Sequence, residues 1–414
     1  MVKLAAAFHN VSLSFLRWKI MSFAKCKHGL FLKFASFMMN FMGGASYMLF
    51  AGEGSSKQLC QYISRNGVRK ILVVTDKPLV ELGIVGQALA GFEGTDTETV
   101  VFDAVLPDPT FDIVEQGHAV YQENGCDGIL AIGGGSSMDA AKIIGAMVTH
   151  PGDPRDLVGM GKAPNAIPPL FALPTTSGTG SEATRGAVIS DSQTHQKSII
   201  AGANLGPDAA CIDPTLLTGL PPHITAATGM DALTHAIEAY ISVWDKGDAR
   251  DKARAAIRII FKQLPVAYSQ GSDIDARDGM AHAAYMAGQA INQVNVGNVH
   301  AIAHQLGAEY GVPHGLANAM VLPFVLEMSL PDARDKLTEL AVLIGKKSAE
   351  EFIAAVRDLN QQVGIPTTCE QLRAEDMVAI RDRAVAEANG YSSPYYMEND
   401  DCDGVLRQLL AKES

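Results

Sequence analysis

Short apolar runs alternate with amphipathic segments through the first half of the 414-residue chain. Residues 70–75 and 128–132 form runs that are short and almost wholly apolar, which is typical of strands buried on both faces. Similar runs occupy residues 47–51, 99–102 and 169–173. Between these runs, apolar residues recur with helical spacing at 57–66, 80–91, 111–124 and 137–150. The alternation predicts a parallel sheet with helices on both faces.

The pattern changes at the double proline, residues 221–222. Beyond it strand-like runs disappear, and helical periodicity covers residues 226–242, 249–268, 278–294, 317–327, 335–344 and 349–363 and the tail. The sequence therefore predicts an α/β domain over residues 46–220 and an all-helical domain over residues 221–414.

Residues 1–45 form a leader that differs from both predicted domains in charge. Residues 1–52 hold six of the 33 basic residues and none of the 45 acidic ones, so the remainder carries 27 positive against 45 negative charges. Residues 34–52 are uncharged and long enough for a membrane span, but serine, asparagine and glycine interrupt them, and we expect no stable insertion. The leader is interpreted as a dispensable or mis-assigned start, or as a targeting peptide; an anchor fits least.

Charge and cysteine content restrict the class of protein and its compartment. The formal net charge of −12 argues against nucleic-acid binding through phosphate neutralisation. The six cysteines are scattered without a CxxC pair, which indicates free thiols in a reducing compartment. We expect a cytoplasmic protein, or a mitochondrial one if the leader is a transit peptide.

A glycine-rich turn joins a predicted strand to a predicted helix within residues 128–142. Three successive glycines at 133–135 let the backbone approach an anion, and the helix start that follows offers free N–H groups. The spacing is not the dinucleotide fingerprint, because Met138 stands where the third glycine is needed. A phosphate-binding turn and an ordinary tight turn both remain open. Under the first hypothesis, Asp139 and Lys142 also belong to the cofactor site.

A second loop, residues 173–182, directly follows another predicted strand. Its threonines, serines and glycines suit a pyrophosphate, a ribose or a carboxamide, which bind through hydrogen bonds. A turn that satisfies its own backbone is the alternative. Two such loops at the ends of parallel strands predict a ligand crevice. Asp76, at the end of the run 70–75, is placed to accept hydrogen bonds from an adenosine ribose and to repel a 2′-phosphate, although a plain surface aspartate fits equally well.

Histidines are concentrated in one part of the predicted helical domain. Asp231 and His235 are four residues apart, hence on one face of a helix. His300 and His304 repeat that spacing, and His314 follows ten residues later. A carboxylate with imidazoles suits iron(II) or zinc, both of which can leave one coordination position open. We predict a divalent-metal site made of Asp231, His235 and two of the other three histidines; a hydrogen-bonded histidine cluster is the alternative.

Four motifs together resemble the iron-containing (group III) alcohol dehydrogenases. They are GGGSSMDAAK, PTTSGTGSEAT, GMDALTHAIEAY and NVHAIAHQLGAEYGVPHGLANAMVLP, in that order and at similar distances. The resemblance spans roughly residues 46–410 and does not cover residues 1–45. It implies a Rossmann-like N-terminal domain that binds NAD or NADP, a helical C-terminal domain, and a metal in the cleft between them. It also implies a homodimer that interconverts a small, primary alcohol and its aldehyde.

The resemblance also implies roles for individual residues. The implied metal ligands are Asp231, His235, His300 and His314. His304 is the implied catalytic histidine, which relays the proton beside the nicotinamide. The implied cofactor contacts are Asp76, Asp108, Gly134, Gly135, Ser136, Thr175, Thr176, Thr179, Thr184, Lys197, Leu216, Gly219 and His304. An aspartate in the position of Asp76 resembles the NAD-preferring members.

The chain departs from the family pattern at two places. Asp108 stands where many relatives have the asparagine of Asn-Pro-Thr, which alters a cofactor contact. Residues 391–396 replace the expected Asn-Pro-Arg, so substrate preference is not carried over. Two other reactions stay open on a related fold. One is hydride transfer between a hydroxy acid and an oxo acid, and the other is a non-redox, metal-dependent sugar-phosphate cyclase or lyase reaction.

Overall fold

The computed structural model describes residues 28–30, 32, 48–194, 196–244 and 246–411. The strands in these ranges are β1 (Met48–Ala51), β2 (Lys70–Val74), β3 (Glu98–Phe102), β4 (Gly128–Gly133), β5 (Gly159–Met160), β6 (Leu170–Pro174), β7 (Gly186–Ser190), β8 (Lys197–Ala201) and β9 (Ala209–Ile212). Six of them form a parallel sheet in the order β1-β9-β6-β4-β2-β3. The predicted parallel sheet is therefore confirmed.

Helices cover both faces of this sheet. They are α1 (Ser55–Arg65), α2 (Lys77–Glu81), α3 (Ile84–Leu89), α4 (Phe111–Glu123) and α5 (Gly135–Thr149). Successive residues of a strand face opposite cores: Leu72 packs with Ile129 on one side, while Ile71 and Leu130 pack on the other. Because every residue of β4 is buried, its sequence is a continuous apolar run and does not alternate between apolar and polar residues.

Two details of the α/β domain differ from the sequence-based prediction. The single helix expected at residues 80–91 is two short helices, α2 and α3, separated at Gly83, whose φ of 77° lies in the left-handed region. The strands β5, β7, β8 and β9 were not predicted. β7 and β8 pair antiparallel in a separate three-stranded sheet with β5, and each has only three apolar residues among its five, a weaker pattern than the continuous runs of the parallel sheet.

The second domain is helical, as predicted. Its helices are α6 (Pro222–Ile241), α7 (Gly247–Ser269), α8 (Ile274–Val294), α9 (Asn298–Tyr310), α10 (His314–Leu343), α11 (Ala349–Gln362), α12 (Met377–Ala388) and α13 (Asn399–Leu409). Fifteen of the 20 residues of α6 are buried, so this helix runs through the centre of the domain instead of over its surface. The segments expected at 317–327 and 335–344 form one continuous helix, α10, which contains Pro323 and Pro331.

Part of the leader contacts the helical domain. The backbone carbonyl of Leu32 accepts a hydrogen bond of 3.0 Å from Trp244 Nε1, and the side chain of Leu32 is buried in the helical core. The ring of His28 packs edge-on against Tyr396, with centroids 5.1 Å apart. Residues 1–27, 31 and 33–47, with most of the uncharged segment, lie outside the described residues. Within the described ranges, no helix is both long and apolar enough to cross a membrane.

Candidate metal and cofactor site

Three helices bring one carboxylate and three imidazoles together. Asp231 and His235 lie one turn apart on α6, His300 lies in the first turn of α9, and His314 begins α10. Asp231 Oδ1 is 3.9 Å from Nε2 of His235, 3.9 Å from that of His300 and 3.5 Å from that of His314. The four ligand atoms all lie within 4.8 Å of one another. Residues far apart in sequence thus form one four-donor cluster.

The protonation states of the cluster suit a cation. Burial lowers the pKa of His300 well below its usual value, and the nearby His235 lowers it further. Burial also lowers the pKa of His314 well below its usual value, against the attraction of Asp231. Both imidazoles are therefore neutral at pH 7, with lone pairs available. Burial works to raise the pKa of Asp231, but the attraction between its carboxylate and the protonated forms of His235, His314 and His300, with a hydrogen bond from Asn318, outweighs burial, so the pKa is lowered.

This donor set fits a divalent transition metal. Metal–nitrogen bonds of about 2.0–2.1 Å put ligands across an ion about 4 Å apart, close to the spread of the four donor atoms. Neutral imidazoles with one carboxylate are ligands that iron(II) and zinc both accept. The side chain of His314 is 29% exposed, whereas those of Asp231 and His300 are buried, so the cluster opens on the His314 side.

Two buried side chains that the sequence did not point to hold the ligands. Glu238 Oε2 lies 2.6 Å from His300 Nδ1, which leaves Nε2 of that ring facing the cluster. The same carboxylate accepts hydrogen bonds of 2.8 Å from the backbone N–H groups of Gly297 and Val299, at the start of α9. Asn318 Nδ2 donates to Asp231 Oδ1 at 2.8 Å. Carboxylate–histidine–metal arrangements of this kind fix the tautomer and the orientation of a ligand.

The variant E238Q is expected to bind divalent metal about 10–100-fold more weakly, because an amide cannot accept all three N–H donors. Competition with a chromophoric chelator measures the affinity. E339Q is the matched control, since Glu339, on α10, accepts a hydrogen bond from Tyr240 of α6 but lies outside the cluster. Equal affinities in E238Q and the unmodified protein would contradict the assigned role.

His304 lies beside the four-donor cluster rather than within it. Its ring stacks on that of His314 with centroids 5.2 Å apart, and its Nδ1 lies 2.5 Å from Glu387 Oε1. The ring is one turn beyond His300 on α9, with centroids 5.7 Å apart. The structure therefore separates the three histidines into two cluster members, His300 and His314, and one neighbour that faces a different carboxylate.

The two predicted loops lie side by side at the carboxyl end of the sheet. Strand pairing puts Gly133 at the end of β4 opposite Pro174 at the end of β6. A side chain at Gly135 would lie 2.7 Å from Thr179, so only glycine permits this contact between the loops. A Cβ atom at Gly134, at the N-terminus of α5, would lie 3.3 Å from Thr176. Helix N–H groups and hydroxyls thus line one crevice, which suits a dinucleotide.

The second loop also reaches the helical domain. A Cβ atom at Gly178 would lie 2.7 Å from Thr228, which is on α6 three residues before Asp231. The two loops and the four-donor cluster are thereby adjacent. Lys197 lies near the same place: its Nζ would be 3.5 Å from a Cβ at Gly307 of α9, and its charge contributes to the lowered pKa of His314.

Matches to known proteins identify the family. The protein-family model of the iron-containing alcohol dehydrogenases matches residues 47–214. The model of the C-terminal domain of the same family matches residues 225–410. The chain belongs to the iron-containing alcohol dehydrogenase family. Its fold and the resemblance seen in the motifs are both confirmed, and membership makes it an oxidoreductase that interconverts an alcohol and its aldehyde.

Relatives of this dehydrogenase span almost the whole described chain. The 1,3-propanediol dehydrogenase of Klebsiella pneumoniae is 39% identical over 364 residues, covering 85% of this chain and 93% of that protein. Alcohol dehydrogenase 4 of Saccharomyces cerevisiae is 36% identical over 365 residues, covering 87% and 96%. The structure of the alcohol dehydrogenase of Oenococcus oeni superposes with a TM-score of 0.86 at 33% identity, covering 89% of this chain and all of that one.

Asp139 and Lys142, which were predicted as cofactor contacts, hold the second loop of this alcohol dehydrogenase through buried hydrogen bonds. Lys142 is 1% exposed, and its Nζ donates to Ser181 O, Ser181 Oγ, Thr184 Oγ1 and Gly186 O at 2.6–3.0 Å. Asp139 accepts from Ser181 Oγ at 2.7 Å and from the backbone N–H of Val188 at 2.8 Å. Lys142 lies two turns into α5, about 10 Å from the N-terminus of that helix. Its hydrogen bonds to Ser181 attach the second loop to the helix.

The remaining predicted cofactor residues occupy varied positions. Asp76 is the second residue after β2, and its Oδ1 caps α2 by accepting the N–H of Leu79 at 3.0 Å. Asp108, with φ of 54°, accepts a hydrogen bond of 2.7 Å from Lys197, so the departure from asparagine creates an ion pair at the crevice. Leu216 packs in the core of the α/β domain, so only its backbone is available to a ligand. Gly219 is exposed on the connection between the domains.

Proposed function

We propose that this protein is an NAD-linked, iron-dependent dehydrogenase of small primary alcohols, which also reduces the corresponding aldehydes. The observation that carries the proposal is the adjacency of two features. The four-donor cluster of Asp231, His235, His300 and His314 opens beside the crevice formed by the two loops. A hydroxyl-bearing substrate between them would contact a cation on one side and a nicotinamide on the other. The names of the relatives support a small alcohol as the substrate.

Different residues of the chain would bind the metal, bind the dinucleotide and transfer the proton. When bound, the metal supplies a Lewis acid for the substrate oxygen, and NAD supplies the hydride acceptor. The N-terminus of α5, from Gly134 to Ser136, would bind the pyrophosphate, and Thr175, Thr176 and Thr179 would donate hydrogen bonds to the dinucleotide. His304, adjacent to His314, would carry the proton between the substrate and solvent.

Asp76 supports a preference for NAD over NADP. Its carboxylate lies at the carboxyl end of β2, next to the glycine turn that ends β4. A carboxylate there accepts hydrogen bonds from a ribose and repels a 2′-phosphate. We therefore expect NADH to be used in preference to NADPH.

The decisive experiment is a substrate panel on protein stripped of metal and reloaded separately with iron(II) or zinc. We expect absorbance at 340 nm to fall when the iron form is given NADH and a short aldehyde, and the metal-free form to be inactive. NADH consumption that is equal with and without metal would contradict the proposal. Turnover only with a paired hydroxy acid and oxo acid would identify a transhydrogenase instead, and product formation without NADH a cyclase or lyase.

Assembly and compartment complete the proposal. We propose a homodimer, which light scattering on the purified protein would test; a monomer in solution would refute it.

All five cysteines in the described part of the chain are free and buried, which supports a reducing compartment, the cytoplasm. A fluorescent fusion with and without residues 1–45 tests this, because mitochondrial import that depends on the leader would identify a transit peptide.

A further inference from the structure

The carboxylate of Glu387, on α12, collects three side-chain donors next to the four-donor cluster. Its Oε1 lies 2.5 Å from His304 Nδ1 and 2.5 Å from the hydroxyl of Tyr391. Its Oε2 accepts a hydrogen bond of 2.6 Å from Gln305 Nε2. His304 and Gln305 are neighbours on α9, so this one acid ties α9 to α12 beside the cluster.

The surroundings of Glu387 determine which groups donate to it. Arg383, one turn earlier on α12, donates from Nε to Gln305 Oε1 at 3.2 Å, which turns the amide nitrogen of Gln305 toward Glu387. The hydroxyl of Tyr391 is buried, and burial raises its pKa well above the usual value, so it stays a donor at neutral pH. With donors on both oxygens, Glu387 is an acceptor, and the imidazole of His304 presents Nδ1–H to it.

The tautomer of His304 follows from this arrangement. If Nδ1 carries the proton that Glu387 accepts, then Nε2 holds the lone pair and is the nitrogen open to exchange with a substrate or with water. The ring is also held beside His314, a member of the four-donor cluster. Tyr391 belongs to residues 391–396, where the chain lacks the expected Asn-Pro-Arg, so part of this support lies in a segment that differs from the family pattern.

We propose that Glu387 is a positioning residue that fixes His304 as its Nδ1–H tautomer, with Tyr391 completing the site through the same oxygen. In this arrangement His304 exchanges its proton only through Nε2. The proposal rests on the proposed function for the part that concerns turnover. The tautomer itself does not depend on turnover.

The first test measures the tautomer directly. Nitrogen-15 NMR on histidine-labelled, zinc-loaded protein, with H304A used to assign the signal, should show His304 protonated at Nδ1. In E387Q that signal is expected to shift to a mixture or to the other tautomer. A His304 signal that shows protonation at Nε2 in the unmodified protein overturns the proposal. This arm decides the question even if the protein turns over no alcohol, which would refute the proposed function alone.

The second test is a double-mutant cycle on the metal-loaded enzyme. E387Q is expected to lower kcat about 10²–10⁴-fold, with the NADH dissociation constant and the metal content unchanged. In the H304A background, E387Q should cost nothing further, because Glu387 acts only through His304. Independent, multiplying losses in the two variants would indicate a merely structural role and overturn the proposal.

Two further variants separate positioning from folding. Y391F keeps the ring and removes one donor, so it should lower kcat less than E387Q does and leave the unfolding temperature close to that of the unmodified protein. E327Q is the matched control: Glu327, on α10, accepts a hydrogen bond from Arg357 and from none of the groups around His304. Unchanged kcat in E327Q with a loss in Y391F supports the proposal, whereas equal losses in both contradict it.

Discussion

Replacing His300 with alanine is expected to remove bound metal and to lower turnover at least about 10³-fold. The side chain of His300 is buried, and its Nε2 is 3.9 Å from Asp231 Oδ1 at the centre of the four-donor cluster. Loss of one of four ligands weakens the binding of the metal. Turnover falls with it, because a Lewis acid supplies several kcal/mol of the reduction in the activation barrier. Elemental analysis and the 340 nm assay measure the two quantities on the same sample.

His300→Ala also leaves Glu238 buried without its imidazole partner, so a loss of metal has to be distinguished from misfolding. His314→Ala provides the separation, since His314 begins α10 and is partly exposed, so its truncation disturbs the core less. His282→Ala is the control: this half-exposed histidine on α8 pairs with Asp278 rather than with the cluster. Full activity in metal-free His300→Ala protein would refute the assigned role of the cluster.

Local patterns predicted much of the fold and the pair Asp231–His235, whereas the full set of four candidate ligands followed only from the family resemblance. A strand buried on both faces has a continuous apolar run, and ligands one turn apart on a helix have a fixed spacing, so β4 and the pair Asp231–His235 were visible in a short stretch of sequence. The strands β7 and β8 were not predicted because glycine, serine and lysine interrupt their short apolar stretches, which leaves a weaker pattern. The position of each donor atom in the cluster required three-dimensional packing.

The contacts that sequence reasoning missed join residues far apart in the chain. Glu238 lies 62 positions before His300, and Glu387 lies 83 positions after His304, so neither contact has a spacing that sequence alone would reveal. A lysine shortly after a glycine turn suggests a phosphate ligand, which is why Lys142 was assigned to the cofactor. Its direction is set by the helix: Nζ points to Ser181, 39 positions later, in the second loop.

The anchoring role of Lys142 predicts a large loss of stability in Lys142→Met. Methionine fills a similar volume but removes the charged donor to the carbonyl oxygens of Ser181 and Gly186, and it removes the cation 3.8 Å from Asp139. Burial lowers the pKa of Lys142, and the carboxylates of Asp139 and Glu182 oppose that shift, so the charge is held by its neighbours. Removing one partner of a buried charged network costs about 3–5 kcal/mol in the free energy of unfolding.

Urea denaturation followed by circular dichroism tests this, with Lys77→Met as the matched control. Lys77 is 72% exposed and pairs only loosely with Glu81, so its loss should change the unfolding free energy by less than about 0.5 kcal/mol. Because Lys142 holds the loop that carries Thr179 against Gly135, the folded fraction of Lys142→Met should also bind NADH more weakly. Loss of stability with unchanged NADH affinity would show that the loop keeps its position without this lysine. Unchanged stability would mean that the buried network does not depend on its charge.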